Sequence, residues 1–308
     1  MKVNQINVDK DMKVLDLLNQ FDKSGVLGAG RVARACNILA DMIDDEDMSV
    51  FLSLGGPLIP GGMRNIVTKM INEGHIDLIV SSGANITHDL VEAFGGSHYR
   101  HEGKDDEQLN EEGIGRIADI NVGSDDFAIF EKEIIEIFEK ISKEHKIISI
   151  QQLLHEIGLL VDDENSFVAT AARNDIPIFA PGLIDSMMGL QLWIFSQDHD
   201  FAVDAVGDMH YLSDIVFESE KVGAVLLGGG LTKHYTLASN VIKGGLDAAI
   251  QITMDRPEAG SLGGAPLEEA KSWAKARCGS NLASVVGDVT VIFPLIYAAA
   301  LDKLEMIK

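Results

Sequence analysis

Short apolar runs that end in glycine alternate along this chain with stretches of helical period. Leu15, Leu17, Leu18 and Phe21 cluster before Gly25, and Val32, Ala35, Ile38, Leu39 and Met42 recur at helical spacing. Residues 12–43 therefore predict a helical lead-in. After an acidic link ending near Asp47, Val50 to Leu54 reads as a strand entering Gly55-Gly56-Pro57, with a helix from about Met63 to Glu73 stopped by Gly74. The unit repeats. Ile76 to Val80 is a strand ending in Ser81-Ser82-Gly83-Ala84-Asn85, with a helix from about Thr87 to Ala93.

Residues 98–124 are polar and glycine-dotted, a long excursion with one helix, and amphipathic helices follow over 127–144, 148–160 and 166–174. Strands return at Ile176 to Ala180, Val222 to Leu227, Ala248 to Met254 and Val289 to Phe293, the last before a C-terminal helix. Short unbroken apolar strands alternating with helices give an α/β fold, a mainly parallel sheet with helices on both faces. Such a sheet binds ligands at the carboxyl ends of its strands, where the glycine turns and most polar candidates gather. No linker rich in proline or serine interrupts 1–308, so a single domain with a helical N-terminal lead-in is expected.

Composition narrows the class. Of 308 residues 46% are apolar and 24% charged, enough for a full core in a soluble chain. No apolar run approaches the roughly 20 residues that span a bilayer, and the first residues are too polar for a signal peptide, so no membrane role is expected. Cys36 and Cys278 are the only cysteines, which fits a reducing, cytoplasmic setting. The net charge of −23 argues against nucleic acid as a partner. It steers in cations such as polyamines or a basic protein loop, or serves solubility alone; charge does not choose.

Candidate chemistry concentrates at Ser261 to Arg277, SLGGAPLEEAKSWAKAR. A glycine-rich turn leads to Pro266, tolerated in a first helical turn, and to Glu268 and Glu269, favoured at that end of a helix. Trp273 and Lys275 follow. An aromatic wall that desolvates a lysine favours the neutral amine, which attacks carbonyl or imine carbon, while carboxylates hold a cationic substrate. The plainer reading is an α-helix with Glu268, Lys271 and Lys275 as a solvated stripe and Ala270, Trp273, Ala274 and Arg277 as its inner face. Gly228-Gly229-Gly230 and Ser82-Gly83-Ala84 suit either close approach to a phosphate or a tight turn. Asp185 can bind a ribose hydroxyl or an amine, or cap a helix. His234 is a general base, an amine binder or a surface histidine. His98 and His101 lack an acidic partner nearby in sequence, so no metal site is assigned.

GGGLTKH at Gly228 to His234, EEAKSWAK at Glu268 to Lys275 and GDVTVIFP at Gly287 to Pro294 together resemble deoxyhypusine synthase. The resemblance extends in order over KVLDLLNQF near the start, FLSLGGPLIPGG at Phe51 to Gly62, LIVSSGAN at Leu78 to Asn85 and IPIFAPGLID at Ile176 to Asp185. It implies a Rossmann-like homotetramer with NAD bound near a subunit interface. It also implies that NAD oxidises spermidine, that an enzyme lysine holds the aminobutyl group as an imine, and that a lysine of the hypusine-containing translation factor receives it. By this resemblance Lys275 is the imine lysine and His234 assists oxidation. Glu269, Trp273 and Asp185 bind substrate. Gly56, Ser82, Gly83, Ala84, Asp185, Gly229, Thr253 and Asp288 bind the cofactor.

The chain departs from the family pattern at particular places. SWGK is SWAK, with Ala274 for glycine, and Leu190, Ala238, Leu262 and His88 stand where members carry acidic or polar groups; the second histidine of the KHH run is Tyr235. A lost charged hydrogen bond costs about 1.5–3 kcal/mol. Two alternatives therefore stand beside the family activity: a polyamine enzyme with a small-molecule amine acceptor, of the homospermidine synthase type, and a non-catalytic NAD-binding member.

Overall fold

Unbroken apolar runs become strands buried on both faces. The computed structural model describes residues 2–307. Its main sheet has six strands: β1 (Met48–Leu54), β2 (Leu78–Ser81), β3 (Ile178–Phe179), β4 (Lys221–Leu227), β5 (Leu246–Thr253) and β6 (Ala276–Val286). The pairs β1 with β4, β4 with β5 and β5 with β6 are all parallel. Val50 to Leu54, Val222 to Leu227 and Ala248 to Thr253 are buried without alternation, as strands covered on both sides must be. The sheet is the mainly parallel α/β arrangement that the pattern predicts.

The chain falls into two compact units. The first holds the residues up to Gly55, His75–Val80 and those from Tyr211 onward; the second holds Gly56–Gly74 and Ser81–His210. In the first, helix Leu27–Asp44 packs on β5, β6 and helix Val289–Ile307, and helix Gly230–Ser239 packs on β1. Register brings the strand ends level: Leu54 lies opposite Leu227, Ile252 opposite Leu227, and Thr253 opposite Val286. The loops after β1, β4, β5 and β6 therefore open at one end.

One expectation needs correction here. Residues 289–293 are not a strand but the start of helix Val289–Ile307, with Asp288 Oδ1 accepting from Thr290 N at 2.7 Å. An apolar run such as VTVIF fits a buried helix as well as a buried strand, and period alone does not separate them. The true last strand, β6, escapes the pattern because its first half, ARCGSN, is largely exposed and polar.

The second unit is mostly helical, with Arg64–Asn72, Gly83–Ala93, Ser124–Ile141, Ile150–Leu160, Phe167–Arg173 and Met187–Ser196. The polar excursion contains an antiparallel sheet of His98–Arg100, Ile120–Gly123 and Ile114–Ile117, besides the helix Asp106–Glu111. Asp89 is fully buried and accepts from Arg64 Nε at 2.7 Å, Ser166 Oγ at 2.5 Å, Phe167 N at 3.1 Å and Val168 N at 3.2 Å. It thus places a negative charge on the first turn of helix Phe167–Arg173, where exposed amides favour it. Arg64 also reaches Asp163 at 2.7 Å and Glu92 at 3.5 Å. Removing one partner leaves a buried charge uncompensated, so Asp89→Ala is expected to cost about 3–5 kcal/mol. Urea unfolding measures it, and a loss under about 1 kcal/mol would deny the network its structural weight.

Candidate active site

In the first unit the loops after the strands are stitched together by their own backbones. Gly55 N donates to Leu227 O at 2.8 Å, Gly228 N to Ile252 O at 2.8 Å, and Gly287 N to Thr253 O at 3.0 Å. The last contact brings Thr253 beside the turn that carries Asp288. A β-carbon on Gly229 would lie 2.5 Å from Gly263 Cα, and one on Gly263 would lie 1.9 Å from Asp255 Oδ2. Glycine is required here by backbone lying on backbone, the tight-turn side of the two readings of the triple glycine.

Beneath this contact sits Lys233, which sequence reasoning gave no role. Its side chain is buried, and Nζ donates to Leu262 O at 2.9 Å and Ala265 O at 2.6 Å. Burial pulls its pKa down to about 8, against the carboxylates of Glu269 and Asp255 and with the charge of Lys275. Gln251 Nε2 grips Gly263 O at 2.7 Å. The available signal was spacing: Lys233 shares the inner face of helix Gly230–Ser239 with Thr236 and Leu237.

The stretch carrying Lys275 is not the expected α-helix. It is a tight 3₁₀ segment, Leu267–Trp273, closed by Ala274 at φ 55° and ψ 23°, after which Lys275 N donates to Ala270 O at 2.9 Å and β6 begins. Of the expected inner face only Ala270 is buried; Trp273 and Ala274 are exposed and Arg277 Nη1 pairs with Asp247 at 2.7 Å. Lys275 Nζ lies 5.5 Å from the centroid of the Trp273 ring, within reach of a cation–π contact. The ring is 65% exposed, so the aromatic wall covers the amine from one side only. Glu268 and Glu269 are exposed beside it. His234 is exposed too, and partial burial followed by the charge of Lys275 lowers its pKa.

The second unit gathers the other predicted residues. Ser82 caps helix Gly83–Ala93, its Oγ accepting from Asn85 N at 3.3 Å. A β-carbon on Gly83 would meet Ser186 Oγ at 2.7 Å and Leu183 O at 2.9 Å, so Ser82, Gly83 and Ala84 lie against the turn that presents Asp185. The capping alternative for Asp185 falls to its neighbour, because Ser186 Oγ accepts from Gly189 N, and Asp185 is left exposed. Gly56 is exposed at φ 77°, and the loop it begins is held by Ile59 N donating to Asn85 Oδ1 at 3.1 Å.

His88 and His98 form a relay. Glu92 Oε1 lies 2.7 Å from His98 Nδ1, and His98 Nε2 lies 2.8 Å from His88 Nδ1. An ionised carboxylate only accepts, so His98 Nδ1 donates to Glu92, and a neutral His98 then accepts at Nε2 from His88 Nδ1. His101 Nδ1 instead meets Asn121 Oδ1 at 3.3 Å.

The deoxyhypusine synthase family model matches residues 16–300. A probable deoxyhypusine synthase of Methanothermobacter thermautotrophicus is 58% identical over 304 residues, 99% of each chain. One from Methanopyrus kandleri is 41% identical over 307 residues, 100% of each. The chain belongs to the deoxyhypusine synthase family. A crystal structure of a putative deoxyhypusine synthase from Entamoeba histolytica superposes with a TM-score of 0.69 at 20% identity, covering 98% of this chain and 97% of that one, which shows a shared fold.

Ala274 holds a left-handed conformation that costs a residue with a β-carbon about 1 kcal/mol. Ala274→Gly is expected to raise stability by up to about that amount, read as a shift in urea midpoint; an unchanged or lower midpoint would count against it. A second expectation concerns His88, whose pKa is lowered from 6.5 to about 4 by burial and then by His98. The unfolded chain takes up this proton at the higher pH, so the stability is present above 6.5 and is lost as pH falls toward 4. The full difference is of the order of 3 kcal/mol. His88→Gln should flatten that part of the stability–pH curve, and parallel curves for the two proteins would refute the assignment.

Proposed function

We propose that this family member transfers the aminobutyl group of spermidine through an imine on Lys275 to a lysine of the hypusine-containing translation factor. The observation that carries the reading is the cluster of Lys275, Trp273, Glu269 and His234 at the ligand end of a parallel sheet, in a chain of the deoxyhypusine synthase family. The Trp273 ring orients the Lys275 amine, and the adjacent acids, Glu268 and Glu269, offer carboxylates to ammonium groups of a polyamine. His234 has its pKa lowered and is therefore a neutral base near pH 7, able to take a proton from the amine being oxidised. The net charge of −23 draws in a polycation and a basic protein loop.

NAD would supply the hydride acceptor for oxidation and the donor for the final reduction. The residues of each unit fit such a group. In the second, Ser82, Gly83 and Ala84 open a helix N-terminus to a phosphate and Asp185 offers an unshared carboxylate to a ribose. In the first, Thr253 ends β5, and Gly229 and Asp288 lie in the loops beyond neighbouring strands. A homotetramer in the cytoplasm is part of the same reading.

A small-molecule acceptor is the second reading, and Leu190 and Leu262 favour it, since both are exposed side chains where the family carries polar groups. Incubation with NAD and labelled spermidine, with and without the organism's own translation factor, separates the two. Label on a factor lysine is expected; label only in free polyamines would replace the protein acceptor by a small amine. Lys275→Ala is expected to lower transfer by at least about 10³-fold with NAD binding retained, and undiminished transfer would remove Lys275 from the mechanism.

A further inference from the structure

Lys233 places an amine where a lysine costs most. It is 2% exposed, and its ammonium donates to two main-chain carbonyls, Leu262 O at 2.9 Å and Ala265 O at 2.6 Å. Those carbonyls bracket the turn leading into Leu267–Trp273 and, through left-handed Ala274, to Lys275. From β5, Gln251 Nε2 holds Gly263 O between them at 2.7 Å. The turn's own bonds are long: Ala265 N to Ser261 O at 3.2 Å and to Leu262 O at 3.3 Å, and Gly264 N to Ser261 Oγ at 3.3 Å. Bonds from an ammonium are about twice as strong as neutral ones, so the side-chain grips outweigh the turn's internal ones.

We propose that Lys233 is a positioning residue: its ammonium fixes the Leu262–Ala265 turn and thereby the placement of Trp273 and Lys275. The consequence for catalysis rests on the reading of Lys275 given above, whereas the geometric claim does not. The groups that face the ammonium are the carboxylates of Glu269 and Asp255 and the charged Lys275. Burial brings the Lys233 pKa to about 8, so the charge-assisted hold weakens as pH rises through that value.

The test uses the full chain with Trp193→Phe, which leaves Trp273 as the sole tryptophan. Trp273 emission is followed from pH about 7 to about 9.5, with Lys233 intact and with Lys233→Met or Lys233→Gln. A transition near pH 8 is expected with Lys233 and none in either variant. In parallel, amide exchange of the 261–275 peptide should quicken about tenfold in Lys233→Met, while the β5 peptide is unchanged. A transition that persists without Lys233, or unaltered exchange at 261–275, overturns the proposal. Should Lys233→Met fail to fold, Lys233→Gln, which keeps two N–H donors without the charge, decides by the same two readings. With spermidine, kcat should fall about tenfold or more in the variants with the KM for NAD unchanged. If the unmutated chain transfers nothing, the Lys275 reading fails, and emission and exchange still decide the role of Lys233.

Discussion

Gly229 lies on Gly263 with no room for a β-carbon, and the ligand end of the first unit takes its shape from that contact. The loop after β4 and the turn before Leu267 are pressed backbone to backbone, with Lys233 and Gln251 reaching the turn's carbonyls from below. From this fixed turn the chain has a single short 3₁₀ segment in which to bring Trp273 to Lys275. A tight segment and a left-handed residue do what a regular α-helix would not: they expose the ring and return the lysine beside it within two residues. A glycine would suit that bend, and this chain makes it with alanine at a modest cost in stability.

The second unit solves a different problem, that of burying charge. Asp89 is enclosed completely yet meets a guanidinium, a hydroxyl and two helix-start amides, so its lone pairs are answered. His88, the residue just before Asp89 on the same helix, is buried as well. Its neutral imidazole donates to His98, and His98 donates to Glu92. The chain of hydrogen bonds from His88 thus ends on the carboxylate of Glu92.

Much of this was legible in the residues. Unbroken apolar runs entering glycine located β1, β2, β4 and β5, and motif order located the family. What stayed hidden has identifiable physical causes. β6 reads as polar because its first half is largely exposed, and the C-terminal helix reads as a strand because exposed positions such as Val291 and Leu295 are apolar like the buried ones, which erases the amphipathic period. The bend at Ala274 was invisible since alanine favours helix and only tertiary constraint holds it left-handed. Lys233 stood inside a quoted motif, and its spacing with Thr236 and Leu237 marks an inward position but not the two buried carbonyls that it holds. Asp185 shows the reverse: local rules offered it as a helix cap, and the neighbouring Ser186 does that work.

The central claim is that the Lys275 amine is the group that carries the transferred fragment. Borohydride added during turnover with NAD and labelled spermidine tests it most directly, since reduction fixes an imine to the side chain that formed it. A peptide map that places the aminobutyl label on Lys275 is the predicted result. A stable adduct mapping to Lys233 or any other lysine, with Lys275 unlabelled, would contradict it.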